Sequence, residues 1–214
     1  MANRAYGQYC GFARALEILG ERWALLIVRD LFVGPRRFSD LQRGLGAIPS
    51  NILTARLKEL EESGVIARRA LPRSEGGSVV YELTRDGLEL ERAVIELSRW
   101  GAKRLGEFRP DEMITEESMV MALRTTFRSE AAKGVNATYE LQLGPIALHA
   151  VVKNGRVTVA KGAAKKPDVI IEAGPAVRAL MAGEISPAEA IKTKVVNVRG
   201  DRKLFTLFPQ IFRI

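Results

Sequence analysis

Two helical stripes of apolar residues precede residue 34. The first contains Phe12, Leu16 and Leu19, and the second contains Trp23, Leu26 and Ile27. This spacing of three or four residues places the apolar side chains on one face of a helix. Gly20 separates the stripes, and Gly34 with Pro35 is typical of the end of a helix. The pattern predicts two short helices joined near Gly20.

Residues 36–64 repeat this arrangement as a short helix, a turn and a longer helix. The apolar positions of the short helix are Phe38, Leu41 and Leu45. Ser39 is expected to cap it, and Ser50 to cap the longer helix, because a serine hydroxyl accepts a hydrogen bond from a free backbone amide at a helix start. Gly44, Gly46 and Pro49 interrupt the pattern between the two. The order predicts a helix-turn-helix.

The longer helix has two chemically different sides. Its apolar stripe consists of Leu53, Leu57 and Leu60, and its opposite side carries Asn51, Thr54, Ala55 and Lys58. Amide, hydroxyl, methyl and ammonium groups suit base edges, thymine methyls and phosphates in the major groove of DNA. An ordinary solvated helix hairpin has the same pattern, so this segment alone leaves both interpretations open.

A predicted β-hairpin follows the two helices. Gly64 is placed to end the longer helix, residues 65–72 and 78–84 are strand-like, and residues 73–77 form a glycine-bearing loop. Helix, turn, helix and hairpin occur in this order in a winged helix. The hairpin carries Arg68, Arg69 and Arg73, which we expect to reach phosphates or the minor groove.

Charge supports a polyanionic partner. Between Arg36 and Lys58 there are five basic residues and one acid, Asp40, and we count Arg36 and Arg37 among the candidate DNA contacts. The whole chain has 33 Lys and Arg against 25 Asp and Glu, a net charge of +8. This excess suits duplex DNA, although a basic protein without a nucleic-acid partner has it too.

A long amphipathic helix is predicted over residues 84–108, capped by Thr84. Its main stripe is Leu90, Val94, Leu97 and Gly101, and Leu88, Ile95 and Trp100 broaden it. The hairpin is too small to cover this stripe. We therefore expect a homodimer in which the first and last helices of this half pack across a two-fold axis, with cover by the second half as the alternative.

The composition changes at Arg109-Pro110-Asp111, which predicts domains at residues 1–109 and 110–214. In the second domain the pattern predicts a helix over 114–127, two short helices over 175–183 and 186–193, and a terminal helix from Asp201. Strands are predicted over 136–143, 146–153, 156–162, 168–173 and 195–199. Gly144-Pro145 and Asn154-Gly155 are turn signals. The fold class is α+β, with an antiparallel-rich sheet and helices on one face.

The residues exclude several classes of function. The chain has no Walker, HExxH or GxSxG motif, so no catalytic residue is assigned and an enzyme is not expected. One cysteine and one histidine do not provide an internal disulfide or a His/Cys metal cluster, and no metal or other cofactor is expected. His149, within an alternating strand, is interpreted as structural. Without a membrane-spanning apolar run or a signal peptide, the protein is expected in the cytoplasm.

Residues 10–101 resemble the HxlR family of bacterial winged-helix transcriptional regulators. The resemblance rests on the sequences CGFARALEILGERWALLIVRDLFVGPRRFSDL, LTARLKELEESGVI, VYELTRDG and RWG. It implies a homodimer that binds a palindromic or pseudo-palindromic operator. The recognition helix would then present Ser50, Asn51, Thr54 and Lys58, and the wing would present Arg68, Arg69 and Arg73.

Residues 113–214 resemble a short sterol-carrier-protein type-two-like domain. The matching segments are ALRTTF, TYELQL, VKNGRVTVAKG, PDVIIEAGPAVRALMAGEISPAEAI and VNVRGD. Such domains enclose an apolar tunnel, which here would be lined by Phe127, Tyr139, Leu141, Leu148, Leu180, Met181, Phe205 and Phe208. The alternative is that these residues are simply core, because every α+β domain needs such residues.

Three functions follow from these patterns. The first is a ligand-responsive transcriptional regulator whose second domain binds a hydrophobic effector. The second is a lipid carrier in which the helix-turn-helix is only an interaction module. The third is a thiol-based redox sensor acting through Cys10, which lies near a helix N-terminus where a thiolate is favoured. A small buried cysteine is the alternative interpretation of that residue.

Overall fold

A computed structural model describes residues 5–72, 74, 76–174 and 176–214. The chain forms two compact units, Met1–Val94 and Ile95–Ile214. This division falls within a helix, Glu91–Ala102. The domain boundary near Arg109-Pro110 remains a prediction. Together the units contain helices and strands in separate runs, which is the predicted α+β class.

The first unit contains a helical bundle and a two-stranded sheet. Its elements are α1 (Gly11–Leu19), α2 (Ala24–Leu31), α3 (Phe38–Gly44), α4 (Ser50–Glu62), β1 (Ile66–Ala70), β2 (Val79–Leu83), α5 (Arg85–Glu89) and the start of α6 (Glu91–Ala102). Ile27, Leu41, Leu53, Leu57 and Leu60 are almost completely buried. The apolar stripes of α2, α3 and α4 therefore meet in one core, as their spacing predicts.

The break between α1 and α2 is confirmed. Gly20 forms the C-cap of α1, and Trp23 at the N-cap of α2 has φ of +82°. A bulky residue rarely adopts this left-handed conformation. Residues 20–23 thus interrupt the helical conformation before the second stripe begins.

The prediction of a single helix over residues 84–108 is wrong. Thr84 does cap a helix, since its Oγ1 accepts a hydrogen bond from Gly87 N at 3.1 Å. However, α5 ends at Glu89 and α6 ends at Ala102. Gly87 is packed so closely on Val65 that a Cβ atom there would collide with the Val65 carbonyl oxygen. This contact holds α5 against the hairpin, and Leu90 interrupts the helix before α6 starts.

The second unit, after the end of α6, is one sheet with helices. Its elements are α7 (Glu116–Thr126), β3 (Asn136–Leu143), β4 (Ile146–Lys153), β5 (Arg156–Lys161), β6 (Val169–Ala173), α8 (Ala176–Ala182), α9 (Pro187–Lys192), β7 (Val196–Gly200) and α10 (Arg202–Ile211). The strand order is β5-β4-β3-β6-β7, with β3 and β6 parallel and the other neighbours antiparallel. Every element predicted here is present.

Local chemistry explains the ends of these elements. Thr115 and Ser118 form a capping box at α7, and Asp201 caps α10 by accepting from Lys203 N at 2.7 Å. Asn154 and Gly155 have φ of +45° and +78°, the conformation that a tight hairpin of two residues requires. The turn signals in the sequence were therefore interpreted correctly.

One face of the sheet carries the core. Tyr139 and Leu141 on β3, Leu148 on β4 and Ile171 on β6 are fully buried together with Phe208 of α10. On the opposite face, the connection between β5 and β6 crosses the sheet, and Ala164 N donates to Glu140 Oε2 at 2.9 Å. This crossing explains why Glu140 is only 3% exposed on the face without core residues.

The described part of the chain contains no helix that combines the length and the apolar composition needed to cross a bilayer.

Candidate functional site

Helix α4 is the centre of the candidate DNA-reading surface. The predicted cap at Ser50 is wrong, because the N-cap is Pro49 and Ser50 is the first helical residue. The C-terminal end is as predicted. Gly64 has φ of +77°, Gly64 N donates to Glu61 O and Val65 N donates to Leu60 O, both at 3.0 Å. These two hydrogen bonds form a Schellman motif, which fixes where the hairpin leaves the helix.

The two sides of α4 differ as the sequence predicts. Leu53, Leu57 and Leu60 are at most 2% exposed. The opposite side presents Ser50, Asn51, Thr54 and Lys58 as exposed residues and Ala55 as half-buried. Thr54 Oγ1 donates to Ser50 O at 2.8 Å, which leaves its methyl group and its oxygen lone pairs for a partner.

Helix α3 precedes this surface. The predicted cap at Ser39 is wrong, because the N-cap is Arg37 and Ser39 lies inside the helix. The backbone of Arg36 pairs with Tyr81 of β2 in both directions, at 2.9 and 2.7 Å. The side chain of Arg36 is half-buried and that of Arg37 is exposed. The structure thus anchors this pair of arginines beside the hairpin by its backbone.

The hairpin arginines are held by acids that sequence reasoning missed. Arg68 Nε lies 2.9 Å from Glu61 Oε1, and Arg69 Nε lies 3.0 Å from both carboxylate oxygens of Glu82. The hydrogen bond and the negative charge of Glu61 raise the pKa of Arg68. The third predicted wing residue, Arg73, lies outside the described residues. The sequence signal that could have predicted these ion pairs is the presence of arginines on one element and glutamates on a neighbouring one.

Lys58 also has an acidic neighbour. Its Nζ is 3.6 Å from Glu62 Oε1, at the i,i+4 spacing of a helix. Arg56, another basic residue of α4, forms ion pairs with Glu21 and Glu59 and points away from the exposed side. The predicted positive field along α4 is therefore partly compensated within the unit.

Exposed apolar residues lie where the sequence predicts a dimer contact. Tyr9 is fully exposed beside α1, and Phe12 within α1 is 74% exposed. On α6, Leu97 is 52% and Trp100 is 59% exposed. Exposed large apolar side chains on a helix are typical of a surface that contacts another molecule.

Cys10 is exposed at the N-cap position of α1. This placement differs from the alternative of a small buried apolar residue. Hydrogen bonds from the backbone amides of Ala13 and Phe12 lower the pKa of the Cys10 thiol. These amides are among the free donors of a helix start, which stabilise a thiolate.

The second candidate site is the apolar interior of the second unit. The structure places seven of the eight predicted tunnel residues in one buried cluster, namely Tyr139, Leu141, Leu148, Leu180, Met181, Phe205 and Phe208, with Phe127 packed against it. The rings of Tyr139 and Phe208 are 5.8 Å apart. Tyr139 Oη donates to Leu204 O at 3.3 Å, and burial, followed by Asp201 and Asp168, raises its pKa to about 12.

A polar cleft of about 430 Å³ lies elsewhere on the second unit. It is lined by Gln142, Gly144, Glu172, Ala173, Gly174, Lys194, Val195 and Asn197, none of which was predicted as a site. Glu172 accepts from Asn197 Nδ2 at 2.8 Å and pairs with Arg199. Strand pairing creates this cleft, because Gln142, Glu172 and Asn197 lie side by side on three strands that are distant in sequence.

His149 lies on the same polar face. Its Nδ1 is 2.9 Å from the carbonyl oxygen of Gly162. This contact fastens the start of the crossing connection to β4 and agrees with the structural interpretation of the histidine.

Two family models match the chain. Residues 18–109 match the HxlR-like helix-turn-helix family, and residues 121–213 match the SCP-2 sterol transfer family. Together they account for both halves in the order that the sequence predicts.

Individual relatives match the first half. The chain is 42% identical over 105 residues to an uncharacterized HTH-type transcriptional regulator of Mycobacterium tuberculosis, which is 49% of this chain and 64% of that protein. It therefore spans just under two thirds of the length of this relative. It is 36% identical over 86 residues to the HTH-type transcriptional regulator YodB of Bacillus subtilis, or 40% of this chain and 76% of YodB.

Solved structures resemble parts of the chain. The reduced form of YodB is 31% identical with a TM-score of 0.41, covering 48% of this chain and all of YodB. The inverting sec-alkylsulfatase Pisa1 from Pseudomonas sp. is 21% identical with a TM-score of 0.43, covering 47% of this chain and 17% of the enzyme.

Proposed function

Because this chain belongs to the HxlR-like helix-turn-helix family, we propose that it is a transcriptional regulator that binds operator DNA in the cytoplasm and is not an enzyme. The observation that carries the proposal is the exposed side of α4. Asn51, Thr54 and Lys58 project from a helix whose other side is locked into the core by three leucines. A rigid helix with an amide, a hydroxyl and an ammonium on its free side suits the major groove.

The regulator acts as a homodimer on a palindromic or pseudo-palindromic operator. Support comes from the exposed apolar side chains of Tyr9, Phe12, Leu97 and Trp100, whose burial against a second copy would be favourable. A two-fold dimer presents two copies of α4. The half-sites are then spaced by about one helical turn of DNA, roughly 10 bp, or a small multiple.

Enrichment of bound duplexes from a random-sequence pool tests the DNA-binding proposal. We expect the wild-type protein to enrich a two-fold symmetric sequence. Asn51→Ala should weaken that site by about 1–3 kcal/mol while leaving affinity for unrelated duplex unchanged. Gln210→Ala is the matched control, since Gln210 is an exposed amide side chain near the C-terminal end of α10 in the second unit. Equal loss on specific and unrelated DNA would contradict base reading by α4.

The second unit binds a hydrophobic effector between the sheet and α10. The SCP-2 match and the continuous apolar cluster around Tyr139, Leu141 and Phe208 support this part of the proposal. These side chains are fully buried against one another, so a ligand has to displace some of them as it enters. It regulates DNA binding only if it prefers one of two arrangements of the protein.

Mass spectrometry of small molecules extracted from the purified protein identifies the effector. Operator affinity is then measured with and without that molecule at fixed salt. We expect saturation to shift the affinity. If the molecule binds but leaves operator affinity unchanged, the alternative of a lipid carrier with a helix-turn-helix interaction module replaces the ligand-responsive regulator.

A thiol-based redox response through Cys10 is the second candidate. It is favoured by the full exposure of the thiol and by the backbone amides that lower its pKa. A related protein, YodB, has been described in a reduced form. Alkylation rates of Cys10 measured against pH should show a midpoint below that of a free cysteine. An oxidant that changes operator affinity of the wild type and of Cys10→Ser equally would exclude this route.

A further inference from the structure

The excess positive charge of the chain lies mainly outside the helix-turn-helix unit. Residues 1–94 contain 14 Lys and Arg against 12 Asp and Glu, and residues 95–214 contain 19 against 13. Six of the eight net positive charges therefore belong to the second unit. Binding of duplex DNA depends on cations that neutralise phosphates, so this distribution is unexpected if only the first unit contacts DNA.

Three of the predicted DNA-contacting cations of α4 and the hairpin are already paired. Lys58 lies beside Glu62, Arg68 beside Glu61, and Arg69 is bound by both carboxylate oxygens of Glu82. A phosphate has to compete with these acids for each side chain. The first unit thus offers fewer uncompensated charges than its arginine content indicates.

Six exposed cations gather at one end of the sheet in the second unit. We name this set the basic edge; it consists of Lys153, Arg156, Lys165, Lys166, Arg202 and Lys203. None of the six forms an ion pair with another of the described residues. They contrast in this respect with Lys58, Arg68 and Arg69.

Strand register brings the basic edge together. Lys153 and Arg156 are register partners at the β4–β5 hairpin. Asp168, two residues after Lys166, accepts Asp201 N on its carbonyl oxygen at 2.9 Å, and Arg202 and Lys203 follow at the start of α10. These segments all lie at the end of the sheet where β3 and β6 begin.

Asp168 and Asp201, two carboxylates at this end, are occupied by the backbone. Asp168 Oδ2 accepts from Thr138 N at 2.7 Å, and Asp201 Oδ1 accepts from Lys203 N at 2.7 Å. They terminate strand and helix instead of pairing with the lysines and arginines. The basic edge therefore keeps a net positive charge and presents it to solvent.

We propose that the basic edge binds phosphates of duplex DNA that flanks the site read by α4. The inference rests on the proposed function, since it assigns a second contact with the same DNA. Duplex DNA is favoured because Lys58, Arg68 and Arg69 of α4 and the hairpin are paired with glutamates. The six cations of the basic edge form no ion pair with another described residue and are therefore available to phosphates. The contact is with phosphates, so it adds affinity without sequence preference.

The test compares two double variants of the full chain. Lys165→Gln with Lys166→Gln removes two cations of the basic edge. Lys192→Gln with Lys194→Gln removes two exposed lysines, the last residue of α9 and a residue between α9 and β7. They lie at the opposite end of the sheet, and their loss changes the net charge equally. Affinity is measured against salt on a duplex carrying only the enriched site, and on the same site extended by about one helical turn, roughly 10 bp, on each side.

On the extended duplex we expect the first variant to reduce the slope of log affinity against log salt by about 0.9 for each lost phosphate contact. The second variant should match the wild type, and the unextended site should not distinguish the three proteins. Equal slopes for both variants on the extended duplex would overturn the proposal. Failure of the wild type to enrich any sequence would instead overturn the proposed function.

A lipid surface is the other anionic partner to examine. Vesicles of phosphatidylcholine with and without phosphatidylserine are sedimented with the three proteins. If Lys165→Gln with Lys166→Gln reduces binding to the anionic vesicles and leaves the salt slope on DNA unchanged, the basic edge is a membrane contact and the DNA proposal is wrong.

Discussion

The first unit and the sheet-bearing part of the second unit expose different kinds of side chain. Beside and within α1, Tyr6, Tyr9 and Phe12 are each more than half exposed. From α7 onward, the large apolar residues exposed among those described are Val151 and Val195, at about 40% each. The sheet encloses its own apolar surface, whereas the first unit leaves aromatic rings in water that another copy can cover.

The two units also differ in how their positive charges are paired. The first unit pairs its hairpin and α4 cations with glutamates, while the second leaves its basic edge uncompensated. If the proposals hold, the exposed aromatic residues of the first unit serve association and the basic edge of the second unit attracts polyanions. The difference teaches that the unit with the candidate DNA-reading helix need not be the one that carries most of the net positive charge.

Removal of a core ring tests whether the second unit is stabilised by its own interior. Phe208 is fully buried and its ring lies 5.0 Å from that of Phe212. We expect Phe208→Ala to lower the free energy of unfolding of this unit by about 3–5 kcal/mol, because it leaves a cavity. Calorimetry of the full chain, with binding of the unextended site as a reporter of the first unit, measures this. If Phe208→Ala reduced the stability of the second unit and DNA binding by the first unit in parallel, the second unit would not be stabilised separately by its own interior.

Introduction of a charge at an exposed aromatic residue tests whether the first unit contributes to self-association. Phe12→Glu should weaken self-association by about 2 kcal/mol or more, since aromatic residues contribute most of the energy of an interface. Light scattering should show a mass closer to the 23.6 kDa monomer at micromolar concentration. Val151→Glu on the sheet is the control and should leave the mass unchanged. A wild-type monomer would remove the basis of the dimer.

Stability measurements at alkaline pH test the environment of Tyr139 in the core of the second unit. The folded-state pKa of Tyr139 is about 12 and its ordinary value is 10. The hydroxyl of Tyr139 therefore keeps its proton to a higher pH in the folded state than in the unfolded state. The contribution of Tyr139 to the free energy of unfolding is complete below pH 10 and is lost as the pH rises toward 12.

Tyr139→Phe should cost about 0.5–1.5 kcal/mol at neutral pH, because the hydrogen bond to Leu204 is lost. The difference in unfolding free energy between the wild type and the variant should then narrow between pH 10 and 12. Denaturant titrations at each pH measure it. A difference that does not change with pH would contradict the raised pKa.

The smallest expected effect concerns the pairing of Arg68. Glu61→Gln frees this guanidinium, and an exposed ion pair contributes little to stability because solvent screens it. We expect a modest gain in affinity for all duplexes and a salt slope steeper by at most about 0.9. Glu89→Gln, at an exposed glutamate of α5, makes the same change in net charge and should have no such effect. Equal gains from both variants would mean that Arg68 is not masked.

Sequence patterns predicted the second unit almost element by element. Asn154-Gly155 and the alternation of β3 and β4 are local signals, and neighbouring residues are sufficient to produce them. The predicted caps at Ser39 and Ser50 failed by one or two positions. The backbone enters α3 at Arg37 and α4 at Pro49, and the entry point depends on how the turn packs.

The sequence by itself determined the two halves, the buried leucine stripe of α4 with its polar opposite side, and the turns and strands of the sheet. These features depend on periodicity and on the φ preferences of a few residues. The tertiary structure alone decided the break between α5 and α6, the pairing of Arg68 with Glu61 and of Arg69 with Glu82, and the assembly of the basic edge. Each of these requires side chains from separate elements to come within a few ångströms. That distance is set by packing and strand register, which no local pattern contains.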